Sequence, residues 1–202
     1  MENGLDKFEV YKDLTERRAD DLEGMGRLAA QLQVTVATIE RLLAGKLLDD
    51  SDYSEENLNR QLLRKTNDLG RILNGINKVL KSACPGTSCS VCFYKYAALC
   101  RGHKESAVTS LLEKTYLFKS PIHRAQYNLM QITRGLVNEN LDLGSDEINR
   151  ENIAHFIKAF RKYLIRLSYN LNFISQIGTE KNQELMLYTQ ELLAFPDKKR
   201  IR

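Results

Sequence analysis

The sequence predicts an all-α fold, a bundle of about six helices. Only three prolines and no tryptophan occur in 202 residues, and long stretches are rich in Leu, Ala, Glu, Lys, Gln and Arg, the residues that favour helix. Apolar positions recur at helical spacing, and no segment alternates as a strand would. Apolar content of 43% with 28% charged residues belongs to a globular chain rather than a disordered one.

The first helix is marked by Phe8, Tyr11, Thr15, Arg18, Leu22, Met25, Ala29, Leu32, Val36, Ile39 and Leu43, a 3,4-spaced series without a slip. That is the seam of a bundle or coiled-coil helix. Gly24 and Gly26 weaken it by about 1 kcal/mol each relative to Ala and predict a kink. Ser54, followed by Glu55, Glu56 and Asn57, reads as an N-cap with acids in the first turn. The helix after it carries Leu58, Leu62, Leu69, Ile72, Ile76 and Val79, widened by Leu63, Leu73 and Leu80, until Pro85-Gly86 breaks it.

Beyond a cysteine-rich stretch, Ser106 to Phe118 predicts a short amphipathic helix. Ser120-Pro121 then restarts the chain with cap and first-turn residues in the preferred order, leading to Leu129, Ile132 and Leu136. Asn138 to Gly144 reads as a loop. Ser145 with Asp146 and Glu147 predicts the start of a long helix through Ile153, Phe156, Phe160, Tyr163, Leu167, Leu171 and Ile174, closed by Gly178. Thr179 would open a last helix through Leu185, Tyr188 and Leu192, stopped by Pro196, before a basic tail. The implied organisation is a long antiparallel helical pair over 1–83, a cysteine-rich connector over 84–104 and a helical bundle over 105–202, possible as one continuous domain.

All four cysteines fall within residues 84–100, in Cys84-x4-Cys89-x2-Cys92-x7-Cys100-x2-His103. Two thiolates three apart on a tight turn can share a zinc ion, and a second pair completes the tetrahedron. Four cysteines, or three with His103, supply such a set, and the expected role is a closed structural clip between helical halves. The alternative is a thiol-lined core stripe. On one continuous helix over 89–103, Cys89, Cys92, Cys100 and His103 would lie within an arc of about 80°. The same helix would hold Cys92 and Cys100 about 12 Å apart, too far for one ion. The spacing of Cys84, Cys89 and Cys92 also resembles that of plant-type ferredoxins, which implies an iron–sulfur cluster; the fourth ligand of that family lies farther on, in a β-rich fold.

Charge is segregated. Residues 1–57 hold seven Lys/Arg against fourteen Asp/Glu, and residues 58–134 hold thirteen against three. A basic middle carrying Arg60, Arg64, Lys65, Arg71, Lys78, Lys81, Lys95, Arg101 and Lys104 predicts an acidic partner, either RNA or DNA or a protein. Helical faces predict a protein partner or a second copy of the chain. The acidic first helix lying against the basic middle is the plainer alternative. No stretch approaches about 18 uninterrupted apolar residues, so no membrane span is expected. The acidic start lacks a signal-peptide core, which predicts a cytoplasmic or nuclear protein.

Two short motifs resemble known families. Residues 28–43 resemble a helix-turn-helix DNA-binding unit, with Ala29, Val34, Ile39 and Leu42 at its core positions, Thr35 as cap of a recognition helix and Gln33 in its turn. Arg150-Glu151-Asn152-Ile153-Ala154-His155 resembles the Arg-x4-His signature of HEPN-type ribonucleases, small helical dimers. That resemblance implies Arg150 and His155 as a catalytic pair converging on a scissile phosphate without a metal. No phosphate-cradling glycine loop, Ser/His/Asp pattern, paired-acid constellation or small-molecule site is evident. The expectation is a non-enzymatic assembly or adaptor protein with a metal-binding cysteine cluster.

Overall fold

The computed structural model describes residues 3–48, 53–84, 92–100, 120–147 and 149–194; the side chains of 3–17, 192 and 193 lie outside that description. The described residues form helices α1 (Asn3–Leu43), α2 (Glu55–Ala83), α3 (Phe93–Tyr96), α4 (Pro121–Asn138) and α5 (Arg150–Ala194), with no strand among them. No helix among them is long and apolar enough to cross a membrane.

α1 and α5 are the frame. They run antiparallel, in a register set by Leu22 against Gly178, Ser168 Oγ donating to the Ala29 carbonyl at 3.3 Å, and Arg161 paired with Glu40 at 2.6 Å. The predicted seam explains the α1 face: Leu22, Met25, Ala29, Leu32, Val36 and Ile39 are all buried. Phe8, Tyr11 and Thr15 lie outside the described side chains. The helix continues through Gly24 and Gly26, where the sequence placed a kink.

Ser54 caps α2 as expected, its Oγ accepting from the Asn57 N–H at 3.1 Å. α2 returns antiparallel along α1, with Gly75 beside Leu28, and buries Leu58, Leu62, Leu69, Ile72, Ile76 and Leu80. α4 packs on α5, where Gly135 lies flat against Phe160. A methyl group there would stand 2.5 Å from the ring. α2 and α4 barely touch, so the ring of four helices is open along that seam. One hydrophobic cluster nonetheless draws on all four and on the α3 segment.

Two boundaries differ from expectation. Residues 150–194 are one helix, where Gly178 and Thr179 predicted a break. Gly178 follows Leu171 and Ile174 on the buried stripe, and a β-carbon there would meet Leu22 Cδ2 at 2.4 Å. The glycine admits a neighbour instead of ending a helix. The stripe then runs on through Asn182, Leu185 and Thr189, which leaves Tyr188 exposed. Second, α5 is capped by Asn149, whose Oδ1 accepts from the Asn152 N–H at 3.1 Å, while Ser145 closes a local turn to Glu147. The helix expected over Ser106–Phe118 lies outside the described residues, as do Leu192 (side chain) and Pro196.

Candidate metal centre

The cysteine segment, where described, is not the continuous helix that a core stripe requires. α3 is one turn, Leu99 and Cys100 both donate their N–H to the Tyr94 carbonyl (2.8 and 2.9 Å), and Ala98 sits at φ 57°. Phe93 and Tyr94 plug the fold, each 1% exposed, ring edge against face at 5.4 Å. Burial holds the Tyr94 hydroxyl well above the ordinary phenol range, against the opposing pull of the Arg18 cation.

This turn aims Cys100 at the start of α4. Ser120 occupies the cap position, but its Oγ donates to the Leu99 carbonyl at 2.7 Å instead of capping the helix. The Ile122 N–H donates to the same carbonyl at 3.1 Å. Pro121 starts the helix, and its first turn brings His123, 7% exposed, to Cys100 with 3.8 Å between Sγ and Nε2. Cys84, the C-cap of α2, supplies the third group. The ligand atoms of Cys84, Cys100 and His123 all lie within 4.8 Å of one another, a group that can hold a metal ion. Zn–S and Zn–N bonds at a tetrahedral angle span a sulfur–nitrogen edge of about 3.6 Å, close to the Cys100–His123 separation. Two soft sulfurs and an imidazole are the donor chemistry that suits zinc.

Of the five predicted ligands, the fold therefore assembles Cys84 and Cys100, and it adds His123. Cys92 is half-buried at the N-cap of α3 and stands outside the group. Cys89 and His103 lie outside the described residues. The ferredoxin-like trio is accordingly not assembled among the described residues, since Cys92 is not with Cys84. His123 was missed because it lies 23 residues beyond Cys100 and in the first turn of a helix, where no ligand spacing points to it. The available signal was Ser120-Pro121, which fixes where that first turn begins.

The basic middle resolves into one line on α2. Arg60, Arg64, Arg71, Lys78 and Lys81 are all exposed and, with Asn67 and Asn74, recur at alternating steps of four and three. At 100° per residue they share an arc of about 100° and extend about 30 Å. Arg60 pairs with Glu56 at 2.9 Å, and Lys65 lies off the line, tied to Asp68 at 2.8 Å. Lys95 is exposed on α3, and Arg101 and Lys104 lie outside the described residues. Beside the line runs the open α2–α4 seam, a groove of about 1220 Å³ with Leu73, Leu129 and Leu143 in its lining and Arg134 on the opposite wall.

The two family-like motifs meet other fates. Residues 28–43 lie inside α1 with no turn at Gln33, and Val34 is 66% exposed instead of packed as a core position. The helix-turn-helix geometry is absent because an unbroken apolar seam keeps the segment straight. Arg150 donates to the Leu43 carbonyl at 3.1 Å, closing the C-terminus of α1, and His155 Nδ1 contacts Glu139 Oε2 at 2.8 Å. Five residues apart on a helix, they diverge by about 140° around its axis. The chain matches no family model, no curated protein and no solved structure.

Proposed function

We propose that this chain is a non-enzymatic helical adaptor, fastened at one end by a structural zinc ion and offering the α2 line to an acidic protein partner. The observation that carries the zinc reading is the convergence of Cys84, Cys100 and His123 from three separate elements. A metal there ties the end of α2 to the start of α4, the two helices that otherwise barely touch. Cys89, five residues after Cys84, is the fourth donor in this reading. Four protein ligands leave no open position, which makes the site a clip and not a reaction centre. Arg150 and His155 support the same conclusion, since each is engaged with a different structural neighbour.

Elemental analysis of untagged protein tests the reading: about one zinc per chain is expected, with no iron. Cobalt exchanged into the site should give the intense bands of a thiolate-bound tetrahedral ion. Protein free of both metals, unable to take up cobalt, refutes it.

The spacing of the α2 line favours a protein helix over nucleic acid. Steps of four and three match the register of a second helix laid alongside, and the leucines of the adjoining groove suit its apolar face. A phosphate backbone would make no use of them. A synthetic amphipathic helix with a leucine seam and glutamate flanks should bind, weakened by salt and by R64E/R71E/K78E. Tighter binding of a single-stranded homopolymer RNA than of this peptide would overturn the choice of partner.

A further inference from the structure

Two thiols brought together for a metal are also brought together for each other. The sulfurs of Cys84 and Cys100 lie within 4.8 Å, against about 2.05 Å in a disulfide, so a modest approach joins them. They are unequally reachable: Cys84 is half-buried, whereas Cys100 is 6% exposed. Cys100 is anchored through its own N–H to the Tyr94 carbonyl and through the Leu99 carbonyl to Ser120 and Ile122. Cys84 stands just past the last helical residue of α2, its own N–H donating to the Leu80 carbonyl at 3.2 Å. One thiol is placed to meet a reagent, and the other is fixed where it can follow.

We propose that Cys84 and Cys100 are an oxidisable pair whose reagent is hydrogen peroxide, Cys84 being the sulfur oxidised first. The Cys84 thiolate takes the terminal oxygen of the peroxide. The O–O bond breaks, the leaving hydroxide is protonated to water, and Cys84 becomes a sulfenic acid. The Cys100 thiolate then displaces the second hydroxide from that sulfur, forming the Cys84–Cys100 bond and a second water. Sulfur loses two electrons, and the peroxide gains them. The disulfide stands on the geometry of the pair alone; the release of a metal rests on the zinc reading above. With both sulfurs spent, His123 and Cys89 are all that the four-ligand reading leaves to the ion, and the clip opens.

The experiment treats zinc-loaded full-length protein with hydrogen peroxide, reads free zinc with a chromogenic chelator and maps disulfides by peptide mass. The expected result is a Cys84–Cys100 linkage that rises in step with zinc release, both reversed by dithiothreitol and added zinc. Cys92→Ser, outside the group, should leave the linkage and the release unchanged. Cys84→Ser should abolish the linkage; the mapping of unaltered protein stands even where that variant does not fold. A zinc-bound protein whose peroxide product joins Cys92, or stops at sulfinic acid with no disulfide, overturns the proposal. Protein purified without zinc that still forms Cys84–Cys100 supports the pair and refutes the zinc reading. Neither zinc nor linkage refutes both.

Discussion

Gly178→Ala is the sharpest test of the α1–α5 frame, because two opposing effects of known size meet at one atom. Alanine is worth about 1 kcal/mol over glycine inside a helix, so propensity alone predicts stabilisation. The new methyl, however, would stand 2.4 Å from Leu22 Cδ2, 3.2 Å from Cδ1 and 3.4 Å from Cγ. Ordinary carbon contacts are about 3.5–4.0 Å, so Leu22 or a helix must give by about 1 Å. Leu22 is 1% exposed and part of the hydrophobic core. Overpacking of this kind costs about 1–3 kcal/mol and sometimes more. At the upper end of that range, the net loss is about 2 kcal/mol. Gly24→Ala is the internal control: a β-carbon added there would meet nothing within 4 Å, so the change should gain about 0.5–1 kcal/mol. Urea unfolding followed by circular dichroism measures both. Combining Gly178→Ala with Leu22→Ala should show a favourable coupling above about 0.5 kcal/mol, since the methyl then enters the space that the leucine leaves. Equal stabilisation by the two alanines, with no coupling to Leu22, would refute the close approach.

Three further outcomes follow from described contacts. His123→Ala and Cys100→Ser should each lose the metal and lower the unfolding midpoint, whereas Cys92→Ser retains about one zinc per chain by elemental analysis. Tyr94→Phe should be close to neutral at pH 7, because its buried hydroxyl has no hydrogen-bond partner among the described residues. The folded tyrosine holds its proton more tightly than the unfolded one, so its stability contribution is complete below about pH 10 and declines as pH rises above that. The variant should flatten that alkaline decline in a pH series of urea midpoints. Arg150→Ala should cost about 1–2 kcal/mol by freeing the α1 terminus, His155→Ala, at an exposed pair, less than about 1 kcal/mol, and neither parent nor variants should cut single-stranded RNA.

Helix content was legible in the sequence because apolar spacing and cap residues are local. The α1 seam and the Ser54 cap needed nothing from elsewhere in the chain. Gly178 was misread for the complementary reason. A glycine on an apolar stripe has the same local appearance whether it ends a helix or admits a neighbour, and only Leu22, far off in sequence, decides. Likewise, the cysteine cluster announced a thiol centre, but clustering in sequence did not select its members. Cys92 is turned away by the single turn of α3, and His123 is recruited by a helix start. Ser145 and Asn149 show the finer limit: both are good caps four residues apart, and the choice falls to whichever backbone enters the helix.

The antiparallel α1–α5 pairing has a kinetic meaning. Its fastenings join residues 107, 121 and 139 positions apart, Leu43 to Arg150, Glu40 to Arg161 and Ala29 to Ser168. On a ribosome adding about 5–20 residues per second, α1 waits on the order of ten seconds for the helix that covers it. In that interval α2 is the neighbour at hand, joined to it by a short connection, and the hairpin forms from local contacts. The leucines of α1 that belong to α5 stay uncovered until the last quarter of the chain arrives. Truncation within α5 would leave that apolar face bare, and aggregation, more than loss of helix, is how such a fragment would fail.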